Sequence, residues 1–147
     1  MDWRSHLIDD AAGIARVLAQ TRRVAVLGIK TEAQAGAAAF YVPEYLVSAG
    51  LDVVPVPVYF PEVTQILGRP VFRRLQDIPG ELDMVNVFRR PNDIPPHVLD
   101  ILAKRPKSVW FQLGIRHEAS AEALARAGID VIQDRCLMVD HRDWARA

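Results

Sequence analysis

The feature that most constrains the fold is an alternation of short apolar runs with helix-like segments along all 147 residues. The first run covers residues 24–27 and ends at Gly28, and further runs cover residues 52–58, 83–88, 108–113 and 129–132. Short, continuously apolar strands are typical of parallel sheets, because both faces of such sheets are covered. Helices between the strands imply right-handed crossovers. The sequence therefore predicts one α/β domain, a Rossmann-like doubly wound parallel sheet in three αβα layers.

Helical signals fill the segments between these runs. Residues 5–20 carry apolar side chains at helical spacing, which predicts an amphipathic helix that packs on the domain. A second helix includes Tyr41 and ends at Gly50, and Pro43 is expected in its first turn, where the missing N–H costs nothing. Further helices are expected at residues 61–67, 95–104 and 118–127, with an irregular connection over residues 68–79. Pro55 and Pro57 are expected at the end of the second strand, where pairing stops.

The chain length suits a single domain with a sizeable core. The predicted organisation is an N-terminal helix over residues 1–22 that packs on the domain, a Rossmann-like domain over 23–141 and a tail over 142–147. His141 falls at the boundary of that tail. No internal repeat or linker divides the sequence.

Charge and cysteine content limit the classes of partner. Eighteen basic residues balance eighteen acidic ones, so no broad field attracts nucleic acid or an anionic membrane, and an anionic ligand must be recognised locally. Cys136 is the single cysteine, which excludes an intrachain disulfide and favours a reducing compartment. No apolar run approaches the roughly 20 residues that span a bilayer. We expect a cytoplasmic protein that binds a small molecule, and the sequence leaves a homodimer or a partner protein open.

The strand exits are the places to look for a ligand, because open parallel sheets bind ligands beyond the carboxyl ends of their strands. At the first exit, Gly28 lets a ligand approach the backbone, free amides and a helix N-terminus favour a phosphate, and Lys30 adds a charge. The alternative is that Gly28 only turns the chain and Lys30 is solvated. At the third exit, Arg89 and Arg90 suit a phosphate, and surface ion pairing is the alternative.

Two common nucleotide sites are disfavoured. The loop from Gly28 to Gly36 lacks the G-x-G-x-x-G fingerprint, and the second strand ends in Val58 and Tyr59 rather than in an acid that would hold a ribose. No G-x-x-x-x-G-K-[ST] sequence is present, so a P-loop is excluded.

Five ordered segments resemble one family. VAVLG at 24–28, VPV at 54–56, DMVNVFR at 83–89, WFQLGI at 110–115 and DRC at 134–136 resemble the stand-alone CoA-binding proteins. Their domain is similar to the N-terminal nucleotide-binding domain of the succinyl-CoA synthetase α subunit. The resemblance covers residues 24–141 and implies a Rossmann-like fold that holds coenzyme A across the strand ends.

The resemblance also implies a set of binding residues by position. Residues at the first exit would meet the pyrophosphate, those at the second would line the adenosine, those at the third would flank adenine and ribose, and those at the fourth would lie near the pantetheine arm. In that order the candidates are Gly28, Ile29 and Lys30; Val56, Pro57, Val58 and Tyr59; Val87, Phe88, Arg89, Arg90 and Pro91; and Gln112, Leu113 and Gly114, with Pro43 added from the second helix.

The sequence departs from the family at two exits. Members often read Val-Asn-Pro after the second strand, whereas this chain reads Val58-Tyr59-Phe60-Pro61, so Tyr59 could stack on the base in place of an asparagine contact. In the first loop a small pair such as Ala-Ser is common, and here Ile29 and Lys30 replace the small hydroxyl with a charge.

The sequence favours binding without catalysis, and no catalytic or metal-ligating residue is assigned. No Ser-His-Asp order, HExxH helix or paired-cysteine spacing is present. His117 and Cys136 are the two residues that could act as a base or a nucleophile. The alternative for His117 is a structural role at the start of a helix, and the alternative for Cys136 is a role as a small core residue. Three functions stay open: a module for coenzyme A or an acyl-CoA, a CoA-dependent enzyme or ligase fragment that needs a partner chain, and a regulatory subunit that senses coenzyme A.

Overall fold

The structure, a computed structural model, describes residues 2–147. Its strands in chain order are β1 (Arg23–Leu27), β2 (Asp52–Val56), β3 (Gln65–Ile66), β4 (Arg69–Pro70), β5 (Met84–Val87), β6 (Ser108–Phe111) and β7 (Asp130–Ile132). Five of them form a parallel sheet in the order β2-β1-β5-β6-β7, and β3 pairs with β4 as a separate antiparallel hairpin. The chain moves outward from β1 in both directions, so the predicted doubly wound sheet is confirmed.

Five α-helices cover the two faces of the sheet. They are α1 (Ala11–Ala19), α2 (Ala38–Ser48), α3 (Val98–Lys104), α4 (Glu118–Arg126) and α5 (Leu137–Arg146). Ile101 of α3 and Leu124 of α4 are buried in one core, whereas α1, α2 and α5 contribute to a second core on the opposite face. Between residues 2 and 147, none of the helices is both long and apolar enough to cross a membrane.

The N-terminal helix is shorter than the prediction of residues 5–20. Asp10 accepts a hydrogen bond from the Gly13 N–H at 2.9 Å, so it caps α1 and the helix begins at Ala11. Ahead of the cap, Leu7 forms a parallel bridge with Val131 of β7, and the Ile8 N–H donates to the Val131 carbonyl at 2.9 Å. Ile8 matched the helical spacing because it is buried in the core, not because it is helical.

Pro43 is the sixth residue of α2 and does not lie in the first turn, because the helix begins earlier than expected, at Ala38. A proline inside a helix leaves the carbonyl four residues earlier without its usual donor. That carbonyl belongs to Ala39, and the Lys30 N–H donates to it at 3.0 Å. The Ala39 carbonyl, which has no donor because of Pro43, therefore links the first strand exit to α2.

Residues 61–67 do not form the expected helix. The short β3–β4 hairpin occupies this region, and its turn residues Leu67 and Gly68 have φ of 55° and 72°. Two consecutive residues with positive φ are typical of a tight hairpin turn, for which the Gly68 position is suited. Ile66 is completely buried, so the hairpin packs its apolar side chain into the core without helical structure.

Pro55 lies within β2, paired in register with Val26, rather than at the strand end. Since β2 is an edge strand, the missing N–H of Pro55 leaves no unsatisfied partner in the sheet. Its carbonyl accepts the Phe72 N–H at 2.9 Å, which covers part of this edge.

Two further helical segments refine the prediction. The expected helix over residues 95–104 begins as a 3₁₀ turn over Pro95–His97 and becomes α-helical at Val98. Helix α5 was not predicted at all, and it includes His141, which was expected at the boundary of the tail. Of the residues of α5, Leu137 and His141 are buried.

Candidate functional site

The exits of several strands converge on one open cleft of about 580 Å³. It lies at the point where the chain leaves β1 for neighbours on either side, the usual ligand position in such sheets. The cleft collects eight of the residues that the sequence selected, together with three that it did not select. The predicted members are Gly28, Lys30, Tyr59, Phe88, Arg89, Arg90, Pro91 and Gly114, and the additional ones are Ala39, Phe60 and Ile115.

Gly28 brings two strand exits into contact. Its φ is +88°, and a Cβ atom at this position would lie 2.2 Å from the Phe88 carbonyl oxygen, a separation that no side chain tolerates. The Gly28 N–H donates to Val56 at 2.9 Å, and the Phe88 N–H donates to Leu27 at 2.8 Å. Glycine is therefore required for the exits of β1 and β5 to meet, and the same residue bonds to the exit of β2.

The backbone amides of the first exit are less free than the sequence suggested. The Gly28 N–H is bonded to Val56 and the Lys30 N–H to Ala39, so neither is available to a phosphate. The free donors lie next to them, at the start of α2. Ala37 provides no side-chain cap, and in the described chain the amides of Ala38 and Ala39 donate no hydrogen bond. With the Lys30 side chain exposed at the same place, this end of α2 has the positive character that suits an anion.

Arg89 and Arg90 occupy different environments. The Arg90 side chain is 83% exposed and its Nε lies 3.1 Å from Asp93, so surface ion pairing describes it. The Arg89 side chain is only 14% exposed, and its NH2 is 3.9 Å from the same Asp93 carboxylate. Its Nε is buried and has no hydrogen-bond partner within residues 2–147. A poorly paired, partly buried guanidinium beside an open cleft has the chemistry to bind an anion, since leaving such a charge poorly paired is costly.

Tyr59 lies against Arg89. Its hydroxyl is 3.5 Å from NH1 of Arg89, and the Arg89 Cζ atom is 5.5 Å from the ring centroid. The hydrogen bond from Arg89, followed by its positive charge, lowers the pKa of Tyr59 below its ordinary value. The ring remains 58% exposed, so one aromatic surface is available to a ligand.

The second exit opens onto a smaller cavity of about 200 Å³. Val56, Pro57 and Val58 line it together with residues that the sequence analysis did not assign to a ligand, namely Arg73, Arg74 and His97. Burial, and next the charge of Arg89, lower the pKa of His97, which keeps the imidazole neutral at neutral pH. The two arginines lie in the connection between β4 and β5, where no periodic pattern marks them.

Other predicted residues contribute backbone or structure rather than an exposed side chain. The side chains of Ile29, Pro43, Val87 and Gln112 are buried. The Gln112 Oε1 accepts hydrogen bonds from Asn86 at 3.4 Å and from the Leu137 N–H at 3.3 Å, which ties β5 and β6 to α5. Leu113, by contrast, is 65% exposed and lies outside the residues that line the cleft.

The two residues considered for chemistry do not line the cleft. His117 is the N-cap of α4, and its Nδ1 accepts a hydrogen bond from the Ser120 N–H at 3.2 Å. Cys136 is a half-buried free cysteine that precedes α5. Across residues 2–147, no group of three or more His, Cys, Asp or Glu side chains is arranged to hold a metal ion.

Comparison with known proteins gives consistent relatives. The sequence model of the family described as CoA binding domain matches residues 22–142. The chain is 30% identical over 130 residues to the uncharacterized protein YneT of Bacillus subtilis (strain 168), and the match covers 88% of this chain and 93% of YneT.

Solved structures agree with this fold. The cell-free protein ID.343 from Thermus thermophilus is 36% identical, with a TM-score of 0.84 over 92% of this chain and 99% of that one. A hypothetical protein from Pyrococcus horikoshii OT3 is 26% identical, with a TM-score of 0.83 over 93% of each chain.

Proposed function

Because the chain belongs to the CoA-binding domain family, we propose that it binds coenzyme A in the cleft at the carboxyl rim of its sheet. The observation that carries the location is Arg89, a poorly paired guanidinium beside the close approach of Gly28 to Phe88. Coenzyme A carries a pyrophosphate and a 3′-phosphate on an adenosine, and each anionic group needs local cations in a protein with no net charge.

The cleft offers separate partners for the parts of the ligand. Lys30, the free amides at the start of α2 and Arg89 would neutralise phosphate oxygens. Tyr59 supplies an aromatic surface for the adenine, in place of the asparagine that related sequences often carry. Gly114 and Ile115 lie at the fourth exit, where the pantetheine arm would run toward solvent. These residue roles are part of the proposal.

We propose binding without catalysis for the isolated chain. Among the residues that line the cleft, the polar side chains are those of Lys30, Tyr59 and the two arginines, and neither His117 nor Cys136 is among them. The second candidate is a CoA-dependent enzyme or a ligase subunit that acts with a partner chain. It is favoured by the open form of the cleft, which leaves room for a second surface over the pantetheine end.

Titration calorimetry with four ligands tests the proposal. We expect coenzyme A to bind more tightly than dephospho-CoA, ATP or NAD, because only coenzyme A presents both phosphate groups together with a pantetheine arm. NAD binding more tightly than coenzyme A would reject the proposal. The release of thiol from a panel of acyl-CoA esters distinguishes the second candidate, since sustained release by the pure chain would show catalysis.

A further inference from the structure

The loop after β2 lines two cavities. This segment, residues 58–63, is called the Tyr59 loop. Tyr59 and Phe60 line the main cleft, and they also line a second, open cavity of about 570 Å³ together with Arg73. The Tyr59 loop is thus part of the wall of the cleft, and its position affects the shape of the cleft.

The Tyr59 loop has little to hold it in place by itself. Val58 and Tyr59 are exposed, and one backbone hydrogen bond, from the Val63 N–H to the Phe60 carbonyl at 3.1 Å, closes it. Phe60 has a φ of 64°, in the left-handed region that disfavours residues with a side chain. A conformation of this kind persists only where surrounding contacts hold it.

Arg73 supplies those contacts. Its guanidinium donates to three carbonyl oxygens of the Tyr59 loop: NH1 to Tyr59 at 3.0 Å, and NH2 to Phe60 and Val63 at 2.8 Å each. Charge-assisted bonds from a planar fork fix both position and orientation. No carboxylate forms an ion pair with Arg73 in the described part of the chain, so its charge is directed to the loop.

The three hydrogen bonds from Arg73 fix the backbone that carries the Tyr59 ring. With its backbone fixed, Tyr59 packs edge-to-face against Phe60, with the ring centroids 6.4 Å apart and an interplanar angle of 87°, and lies beside Arg89. The arrangement puts an exposed aromatic surface next to the guanidinium that would bind a phosphate. A purine nucleotide matches this pair, since its base stacks on the ring while its phosphate reaches the cation.

We propose that Arg73 is a positioning residue of the coenzyme A site, which holds the Tyr59 loop so that the Tyr59 ring stacks on the adenine base. The inference rests on the proposed function and adds one thing to it: a residue that acts through Tyr59. Arg73 lies between the five segments that carry the family resemblance and belongs to none of them.

A double-mutant cycle tests this dependence. Coenzyme A affinity is measured by calorimetry for the wild type, Tyr59→Ala, Arg73→Ala and the double variant. Loss of base stacking weakens binding by about tenfold in Tyr59→Ala. We expect a loss of similar size in Arg73→Ala. The double variant then binds about as well as Tyr59→Ala alone, because a residue that acts through Tyr59 has nothing left to position.

Two control variants separate the roles. Arg22→Ala removes one exposed positive charge next to the amino end of β1 and should leave affinity unchanged. Arg73→Lys retains the charge, yet one ammonium cannot hold all three carbonyls in the same geometry, so it should bind more weakly than the wild type. If thermal denaturation shows that Arg73→Ala fails to fold, Arg73→Lys replaces it in the double-mutant cycle.

The outcomes are distinguishable. If the wild type does not bind coenzyme A, the proposed function is wrong and the inference falls with it. Suppose instead that the wild type binds coenzyme A. If Arg73→Ala leaves the affinity unchanged, or if the affinity loss of the double variant equals the product of the two single losses, coenzyme A binding stands and the positioning role of Arg73 is overturned. If the wild type binds and the double variant binds about as weakly as Tyr59→Ala alone, the positioning role of Arg73 is supported.

Discussion

At the scale of single residues, neighbours in sequence have separate tasks. Arg89 and Arg90 are adjacent, yet one is largely buried with an unpartnered Nε and the other is a solvated ion-pair partner of Asp93. The sequence could name both arginines as anion receptors, but it could not rank them. The ranking follows from burial, because a largely buried, weakly paired charge gains more from a ligand than a solvated one.

The arginine pair gives the first prediction. Arg89→Ala should weaken coenzyme A binding by about 1–3 kcal/mol, the usual value of a hydrogen bond to a charged group. Arg90→Ala is the matched control, since it removes the same charge from the next position, and it should change the affinity little. The measurement is calorimetric titration of both variants. Equal losses in the two would contradict the assignment of Arg89 as the anion receptor.

Gly28 gives the second prediction. Gly28→Ala should lower the free energy of unfolding by about 2 kcal/mol or more, from an unfavourable positive φ and a clash with the Phe88 carbonyl. Urea denaturation measures the change. Gly36→Ala is the control, because Gly36 has no positive φ and open space around its Cβ position, so this substitution should be close to neutral. A neutral Gly28→Ala would show that the exits of β1 and β5 are not held in contact.

At the scale of elements, local interactions between helices and loops shape the rim. Pro43 has no N–H to donate to the Ala39 carbonyl, so this carbonyl accepts the Lys30 N–H instead. Helix α5 is held to α2 by Tyr45 and His141, whose hydroxyl and Nδ1 lie 2.8 Å apart. The Tyr45–His141 contact joins segments that are distant in the sequence, and the Lys30–Ala39 contact links a loop to the next helix, so periodicity alone could not indicate either one.

Pro43→Ala tests the first contact. The new N–H of residue 43 would compete with Lys30 for the Ala39 carbonyl, so the Lys30 amide should exchange its hydrogen faster than in the wild type. Amide exchange followed by NMR gives the answer, with the Ile14 amide, bonded to Asp10, as an internal reference. An unchanged rate at Lys30 would show that the proline is not needed to fasten the loop.

The second contact predicts a pH dependence of stability. Burial lowers the pKa of His141 in the folded chain below its ordinary value of 6.5. As the pH falls from about 7 through 6.5, His141 therefore becomes protonated in the unfolded state but not in the folded state. The free energy of unfolding decreases until the pH passes the folded-state pKa. His97 adds to the same trend, since its pKa is also lowered.

Denaturation midpoints between pH 7 and pH 5 measure this effect. The His141→Gln variant should lose less stability over that range than the wild type, and it should retain a remaining slope from His97. A variant whose pH dependence matched that of the wild type would show that His141 is not buried against Tyr45.

At the scale of the whole molecule, the doubly wound parallel sheet could be predicted from sequence. Apolar runs that end in glycine, as at Leu27 and Gly28, mark strands and exits directly, and the rule for open sheets then directs the search for a site to the rim. Arg73 and the true start of α2 could not be predicted in this way. They depend on which carbonyls lie near a guanidinium or an amide after folding, and no local pattern of residues carries that information.

Coenzyme A is proposed to occupy the rim cleft with its phosphates at Lys30, the start of α2 and Arg89. A crystal structure of the chain grown with coenzyme A tests this placement. We expect phosphate oxygens within hydrogen-bond distance of Arg89 and the adenine against Tyr59. Coenzyme A bound at another surface, or a rim left empty at saturating ligand, would contradict it.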